Sequence, residues 1–471
     1  MKKYINTFQK LVILAIAVTI SSCSIDDIQP INQLTVENTI RDEASAQLVL
    51  NGVYDLGREF DVSFFPLHLA GYGDEGVLTN GVSGSTGFNT NEVPVENKFL
   101  TNLYSGQYKI INTANFLIQE LEAGKAIGIS DERKAGMISE AKFQRAFAHF
   151  NLLRYFGQYY DVSSKYGIVL RTTFSTELES KPRNSVQEVY NLIEADLEYA
   201  VVNGPVFIDH FYSGSLAAKA LLAKVKLYEG KYAEAATLAE EVIFNGEGYE
   251  LEFSYTDIFQ NQFYSPEVIF APFCGPGAEG GTNMNVINRT TYSEYLRSLA
   301  DAQVGDPNDG DLTGAGSNYD PRFSFAYSDD TQGVNGQAKY PFNSFASSQN
   351  NTLYHLRLAE MYLVHAEALT RAGGDTGLAL LSLNTIRDRA GVDPKDFIDV
   401  PTLLEDIRKE KLLELFYENG EPLFDLVRYD ILGNLDASSI KPTLNNENKF
   451  VLPYPAEVLI GNNALVQNSG Y

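Results

Sequence analysis

The stretch Leu221 to Ile243, LLAKVKLYEGKYAEAATLAEEVI, limits what this chain can fold into more than any other segment. Its apolar residues recur at three-to-four spacing on both sides of Gly230-Lys231-Tyr232, so two helices meet at a turn. Ala223 and Ala235 sit twelve apart, with Leu222, Leu227 and Leu238 as their large partners. Small residues placed this way let the two helices approach closely. A lone hairpin of this kind leaves apolar faces open, so it needs neighbours to cover them.

The same signal recurs. Leu353 to Ala390 reads as a second pair, with helices Leu356–Ala372 and Leu378–Arg389 split by Gly373-Gly374-Asp375. Weaker pairs fall at 41–57 with 101–122 and at 133–157 with 185–203. Ala44, Leu48, Val49, Val53 and Leu56 form one expected inward stripe; Ile110, Ala114, Leu117 and Leu121 form another; Val186, Val189, Ile193 and Leu197 form a third. These pairs resemble tetratricopeptide units. The expected fold class is therefore mainly α, a tetratricopeptide-like helical array with long irregular loop-rich insertions. The insertions are residues 58–100 and 245–350, rich in Gly, Asn, Ser, Asp and aromatics. Segments such as GPGAEGGTNMN (Gly275 to Asn285) cannot be regular helix. Loops this long with many aromatics read as ordered and functional.

The N-terminus sets the compartment. Met1-Lys2-Lys3 is a basic start, and Leu11 to Ile20 is an apolar run too short to span a bilayer. Ile20-Ser21-Ser22-Cys23 then resembles a bacterial lipobox, in which Cys23 becomes the acylated N-terminus. Ser24-Ile25-Asp26-Asp27 resembles a surface-export signal. The expected organisation is a lipoprotein signal peptide at 1–22, a flexible tether at 23–40, an N-terminal helical region at 41–250 and a C-terminal region at 251–471.

The formal net charge is −25, and loss of Lys2, Lys3 and Lys10 with the leader makes it more negative. Such a surface repels phosphate backbones, so nucleic-acid binding is set aside. With Cys23 acylated, Cys274 is alone and no internal disulfide forms; it reads as a small buried apolar residue. No GxSxG, HExxH or SxxK constellation is present, and no carboxylate pair stands out, so the chain reads as a non-enzyme with no cofactor. GYGDEG (Gly71 to Gly76) matches GxGxxG only in letters, because Asp74 and Glu75 would face a pyrophosphate. DGDLTGAGSNYD (Asp309 to Asp320) matches part of a calcium loop, with Asp309, Asp311 and Asp320 as candidate ligands; a plain loop is the favoured reading.

Several ordered motifs then carry a family resemblance. RLAEMYLVHAEAL (Arg357 to Leu369), NTIRDRAGV (Asn384 to Val392), IRKEKLLEL (Ile407 to Leu415), FDLVR (Phe424 to Arg428) and LPYPAEVLIGNNALVQNSGY (Leu452 to Tyr471) resemble the SusD/RagB family. EAKFQRAFAHFNLLRYFG (Glu140 to Gly157) and Asp320-Pro321-Arg322 continue the likeness upstream, so it covers nearly the whole mature chain. Glu360, Glu367, Arg387, Arg389 and Arg408, with Tyr362, also have a physical reading: interlocking ion pairs that fix helix order, arginine being suited to hold carboxylates bidentately. The runner-up is that some of them face a partner protein. Two departures matter. Glu421-Pro422-Leu423 stands where the family carries an arginine, and Tyr104 stands for its tryptophan. Tryptophan is absent altogether, so any aromatic platform is built from Tyr and Phe.

The resemblance implies a non-catalytic lipoprotein on the outer face of the outer membrane. It would act as the lid of a SusC-like TonB-dependent barrel and capture oligosaccharide, or peptide in a RagB-like branch. It places the ligand site where the two irregular regions converge: Tyr72 and Asp74 from the first, Asn283, Arg289, Tyr292, Tyr295 and Tyr319 from the second. Phe99 and Tyr104 are weaker candidates.

Overall fold

A computed structural model describes residues 35–275 apart from 37, 64, 80–81, 83 and 178, then 290–301, 319–327, 338–340 and 351–471. Cys23, the signal peptide and most of the tether lie outside the described residues, as do Asn283, Arg289, Asp309 and Asp311.

The chain opens with α1 (Glu43–Leu56), short α2 (Phe60–Ser63) and α3 (Phe65–Tyr72), then strand β1 (Gly76–Leu78). Long helices follow: α4 (Lys98–Glu122), α5 (Asp131–Phe156), α6 (Val186–Asn203), α7 (Ser215–Glu229) and α8 (Tyr232–Ile243). The second insertion contributes α9 (Tyr255–Asn261), β2 (Val268–Phe270), β3 (Thr290–Tyr292), α10 (Glu294–Asp301) and α11 (Pro321–Tyr327). The C-terminal part is β4 (Leu356–Arg357), α12 (Leu358–Arg371), α13 (Thr376–Ala390), α14 (Val400–Leu415), α15 (Glu421–Ile431) and α16 (Ala456–Gly461).

Local chemistry explains the helix ends. The Asp42 carboxylate accepts from the Ser45 amide at 2.8 Å, closing a capping box on α1. Ser185 and Glu188 form the same box on α6, and Ser130 caps α5. Gly230 ends α7 at φ +85°, a left-handed turn that lets α8 double back, as the hairpin reading requires.

Successive helices pack in series: α4 on α5, α5 on α6, α6 on α7, α7 on α8. The second hairpin, α12–α13, returns after the long insertion and places α12 against α8, so the array continues across the gap in sequence. Ile110, Ala114, Leu117 and Leu121 are buried as expected, as are Val186, Val189, Ile193 and Leu197. The expected stripe on α1 holds in part: Val53 is buried and Val49 and Leu56 pack half-buried on the core, but Ala44 is exposed. Its inward residues are Ala46, Leu50 and Val53, while Leu48 is 70% exposed. Both stripes have helical spacing and share Val53; packing of α1 against α4 and α5 turns Ala46 and Leu50 inward in place of Ala44 and Leu48.

One apolar core runs from Ile40 to Leu465 and crosses the expected boundary at residue 250. Phe270 on β2 meets Phe143 of α5 edge-on at 5.1 Å, and Phe424 of α15 stacks on Tyr155 at 6.1 Å. A second cluster lies between α12, α13 and α14, around Leu363, Leu383 and Ile407. Cys274 is buried, with its thiol 3.6 Å from the Gln262 amide oxygen.

The expected ion pairs tie these helices together. Glu360 of α12 meets Lys224 of α7 at 2.8 Å. Glu367 holds Arg371, Lys411 and Arg428, linking α12, α14 and α15. Arg387 of α13 reaches Glu410 of α14 at 2.6 Å, and Arg389 reaches Glu267 at the same distance. Burial would raise the Glu367 carboxyl, but Arg428, Lys411 and Arg371 hold it well below the usual range. Glu421, at the position where the resemblance led to an arginine, is itself a buried hub. It accepts from Arg154 of α5 and Lys224 of α7, both at 2.5 Å, and from the Tyr228 hydroxyl at 2.8 Å.

Candidate ligand-binding site where the two loop regions meet

The two irregular regions do converge. β1 pairs antiparallel with β3 in the register Gly76 to Tyr292, Val77 to Thr291 and Leu78 to Thr290. The Ser293 amide extends the ladder to the Glu75 carbonyl, and its hydroxyl donates to the Asp74 carbonyl.

GYGDEG is the hinge piece of this junction. Gly71 and Tyr72 end α3, Asp74 turns the chain at φ +66°, and Gly76 begins β1. A Cβ on Gly76 would lie 1.7 Å from the Tyr417 hydroxyl oxygen and 2.8 Å from the Thr291 carbonyl. The glycine serves close packing of backbone against a ring, which accounts for it without a nucleotide.

The predicted contacts separate into groups. Tyr72 is in the core: 1% exposed, its hydroxyl donates to the Lys449 carbonyl at 2.7 Å. Tyr319 is 3% exposed, stacks on Phe323 at 5.6 Å and accepts from Arg297 at 3.3 Å. Neither ring is open to a ligand, because tertiary packing buries both residues. Tyr292 is half-buried and sets its ring against Phe323 at 5.3 Å and Tyr327 at 5.1 Å. Tyr295, also half-buried, accepts from Arg408 of α14 at 2.7 Å. Arg408 thus reaches back to the loop region, where the other paired arginines serve the frame. Asp74 is partly exposed and meets Lys441 at 3.3 Å; burial raises its carboxyl while Lys441 pulls against this. Tyr292, Tyr295 and Asp74 are therefore brought to one junction, with Tyr72 and Tyr319 beneath it. Of the weaker candidates, Phe99 is buried and stacks on His68 at 4.0 Å, and Tyr104 packs on Tyr108 and Tyr454.

Asp320 is corrected as a calcium candidate. It is fully buried, and its carboxylate holds the Arg322 side chain at 2.8 and 3.0 Å. Arg322 continues to Glu410 at 2.7 Å and Glu414 at 3.0 Å. A carboxylate neutralised in this way is spent as a cation ligand.

Glu75 went unremarked in the sequence except as a flaw in a nucleotide motif. It is completely buried; one oxygen accepts from the Tyr417 amide at 2.8 Å and the other has no partner. Burial pushes its carboxyl up to about 8, opposed by the Tyr417 amide and Lys339 and assisted by Glu421 and Glu418. The folded state then keeps this proton longer than the unfolded chain. Stability should fall as pH rises from the ordinary value of 4.5 and stop falling once pH passes about 8. Glu75→Gln should remove that decline: urea midpoints of variant and parent should agree in mild acid and separate, variant higher, in mild alkali. Equal midpoints at both ends would contradict this assignment.

With the geometry in place, comparison with known proteins identifies the class. A family model described as "SusD family" matches residues 313–471, and one described as "Starch-binding associating with outer membrane" matches residues 27–227. A SusD-like protein of Bacteroides ovatus is 26% identical over 393 residues, 73% of this chain and 68% of that one. SusD-like protein P2 of Formosa agariphila is also 26% identical, across the whole of both chains. Among solved structures, a SusD superfamily protein from Bacteroides thetaiotaomicron covers 91% of this chain and 99% of its own, with TM-score 0.73 at 23% identity. A laminarin-binding SusD-like protein covers 92% and 100%, with TM-score 0.66 at 24% identity. This chain belongs to the SusD-like family. Its mainly helical, tetratricopeptide-like fold is that of the SusD superfamily structures.

Proposed function

We propose that this protein is a non-catalytic surface lipoprotein that captures oligosaccharide and serves as the lid of a SusC-like TonB-dependent outer-membrane transporter. The observation that carries the reading is the β1–β3 junction: on a SusD-like frame, it holds two half-buried tyrosines, Tyr292 and Tyr295, beside Asp74 and Arg408. Tyrosine rings supply apolar faces for sugar C–H groups and keep a wet hydroxyl. Charged and amide groups at the rim would orient sugar hydroxyls. Asn283 and Arg289, in the segment just before β3, join the proposed site. Anchoring would be through lipid on Cys23; no helix of the described residues is long and apolar enough to cross a membrane. A laminarin-binding relative of the same fold makes β-glucans a sensible first panel.

The test is calorimetry on lipid-free protein from Ser24 onward against glycan and peptide panels. Micromolar or weaker glycan binding is expected, with Tyr295→Ala or Tyr292→Ala weakening it about tenfold. Binding to peptides alone would replace oligosaccharide with peptide as the cargo. Glycan binding untouched by both substitutions would move the site elsewhere.

A further inference from the structure

On the side of the molecule formed by α1, α4, α5 and β2 lies a cleft of about 300 Å³ that none of the motifs foretold. Asn51 and Asp55 stand exposed at its mouth, with Arg58 beside them. Gln107 of α4 and Gln144 of α5 lie inside, 2% and 5% exposed. Rings of Tyr54, Phe147, Tyr212 and Phe270 form much of the wall.

Three polar atoms of this lining have no hydrogen-bond partner: Gln107 Oε1, Gln144 Nε2 and Arg58 Nε. An orphaned buried amide is costly. Two of them, on adjacent helices in the wall of one cleft, are bonding capacity that a group seated in the cleft would use once the amides turn toward it. The orphans also define it. Gln107 requires a donor, Gln144 and Arg58 require acceptors, and the rings require apolar contact. The charge at the mouth is balanced, since Arg58 pairs with Asp55 at 3.3 Å. Inside, burial together with Lys224 and Arg154 keeps His355 neutral. A charged ligand would find no counter-ion there. The volume is at the lower end for small-molecule sites, enough for one or two sugar rings.

We propose that this cleft is a second binding site, separate from the loop junction, for a neutral polyhydroxylated ligand of one or two sugar rings. It stands on the cleft's own geometry and does not depend on the junction reading.

The probes are D-glucose, D-galactose, maltose and laminaribiose, titrated into the full chain in detergent by saturation-transfer NMR and calorimetry. At least one should bind, and Gln107→Met and Gln144→Met should each weaken it about tenfold. Both variants should melt no lower than the parent, because methionine fills similar space without an orphaned amide. Should either fail to fold, Asn51→Trp at the exposed mouth gives the same reading by blocking entry. Tyr292→Ala should leave cleft binding intact while weakening oligosaccharide at the junction, so the two sites fail separately. The proposal is overturned if no probe binds, if binding survives the methionine and tryptophan variants, or if only Tyr292→Ala removes it.

Discussion

Arg357→Met should cost this protein about 3–5 kcal/mol, a large share of the about 5–15 kcal/mol by which folded proteins are stable. Arg357 is 1% exposed and meets Glu267 at 2.5 Å, Glu414 at 2.9 Å and Glu418 at 2.7 Å. Those carboxylates belong to the segment before β2, to α14 and to the turn after it, so one side chain joins three parts of the chain. Burial alone would raise the Glu414 carboxyl; Arg389, Arg357 and Arg322 hold it far below the usual range. Removing one cation leaves buried anions short of a partner, and the loss exceeds any gain from the apolar methionine. Arg357→Lys should fail nearly as badly, because a point charge cannot serve three carboxylates as a planar fork does. Lys134→Met is the control. Its partner Asp131 is fully exposed, and the change should stay within about 0.5 kcal/mol. Urea denaturation followed by circular dichroism measures all three; equal midpoints for Arg357→Met and Lys134→Met would refute the role given to the buried network.

Gly76→Ala should break the junction itself. The added methyl would sit 1.7 Å from the Tyr417 hydroxyl and 2.6 Å from its ring carbon. That ring cannot swing aside: Tyr417 is 0% exposed, at φ +62°, and donates to the Thr291 carbonyl at 3.0 Å. The strand must move instead, and with it the β1–β3 register. A loss of about 3 kcal/mol is expected from overpacking of this kind, together with weaker glycan binding. Tyr417→Phe removes the atom nearest the methyl, so the double variant should recover part of the stability. If the double variant is no better than Gly76→Ala alone, the clash is not the cause.

What could be read from the sequence, and what could not, follows from how each signal arises. Helical periodicity over long amphipathic runs placed α4, α6, α7, α8, α12 and α13, because burial of one face imposes a repeat that local sequence carries. The α1 stripe differs from the structure at Ala44 and Leu48 because two faces of that helix are apolar enough, and only its neighbours choose between them. Glu360, Glu367, Arg387 and Arg389 were legible as scaffold from their charge within the family-like motifs, although partners such as Lys224 and Glu267 are far away in sequence. Loop aromatics were the weak point. Nothing in the local sequence separates Tyr319, packed flat on Phe323, from Tyr292, whose ring is only half covered. Gln107 and Gln144 gave no signal at all, since an amide inside a helix is unremarkable until the neighbouring helix shows it to be buried and unpaired.

The central claim is capture without turnover. The most direct measurement incubates the purified protein with the glycan that binds best, follows the heat of binding, and then recovers and sizes the carbohydrate. Saturable binding with the oligosaccharide returned at its original length is the predicted result. New reducing ends that appear with protein concentration, or heats from peptides and from no glycan, would contradict it.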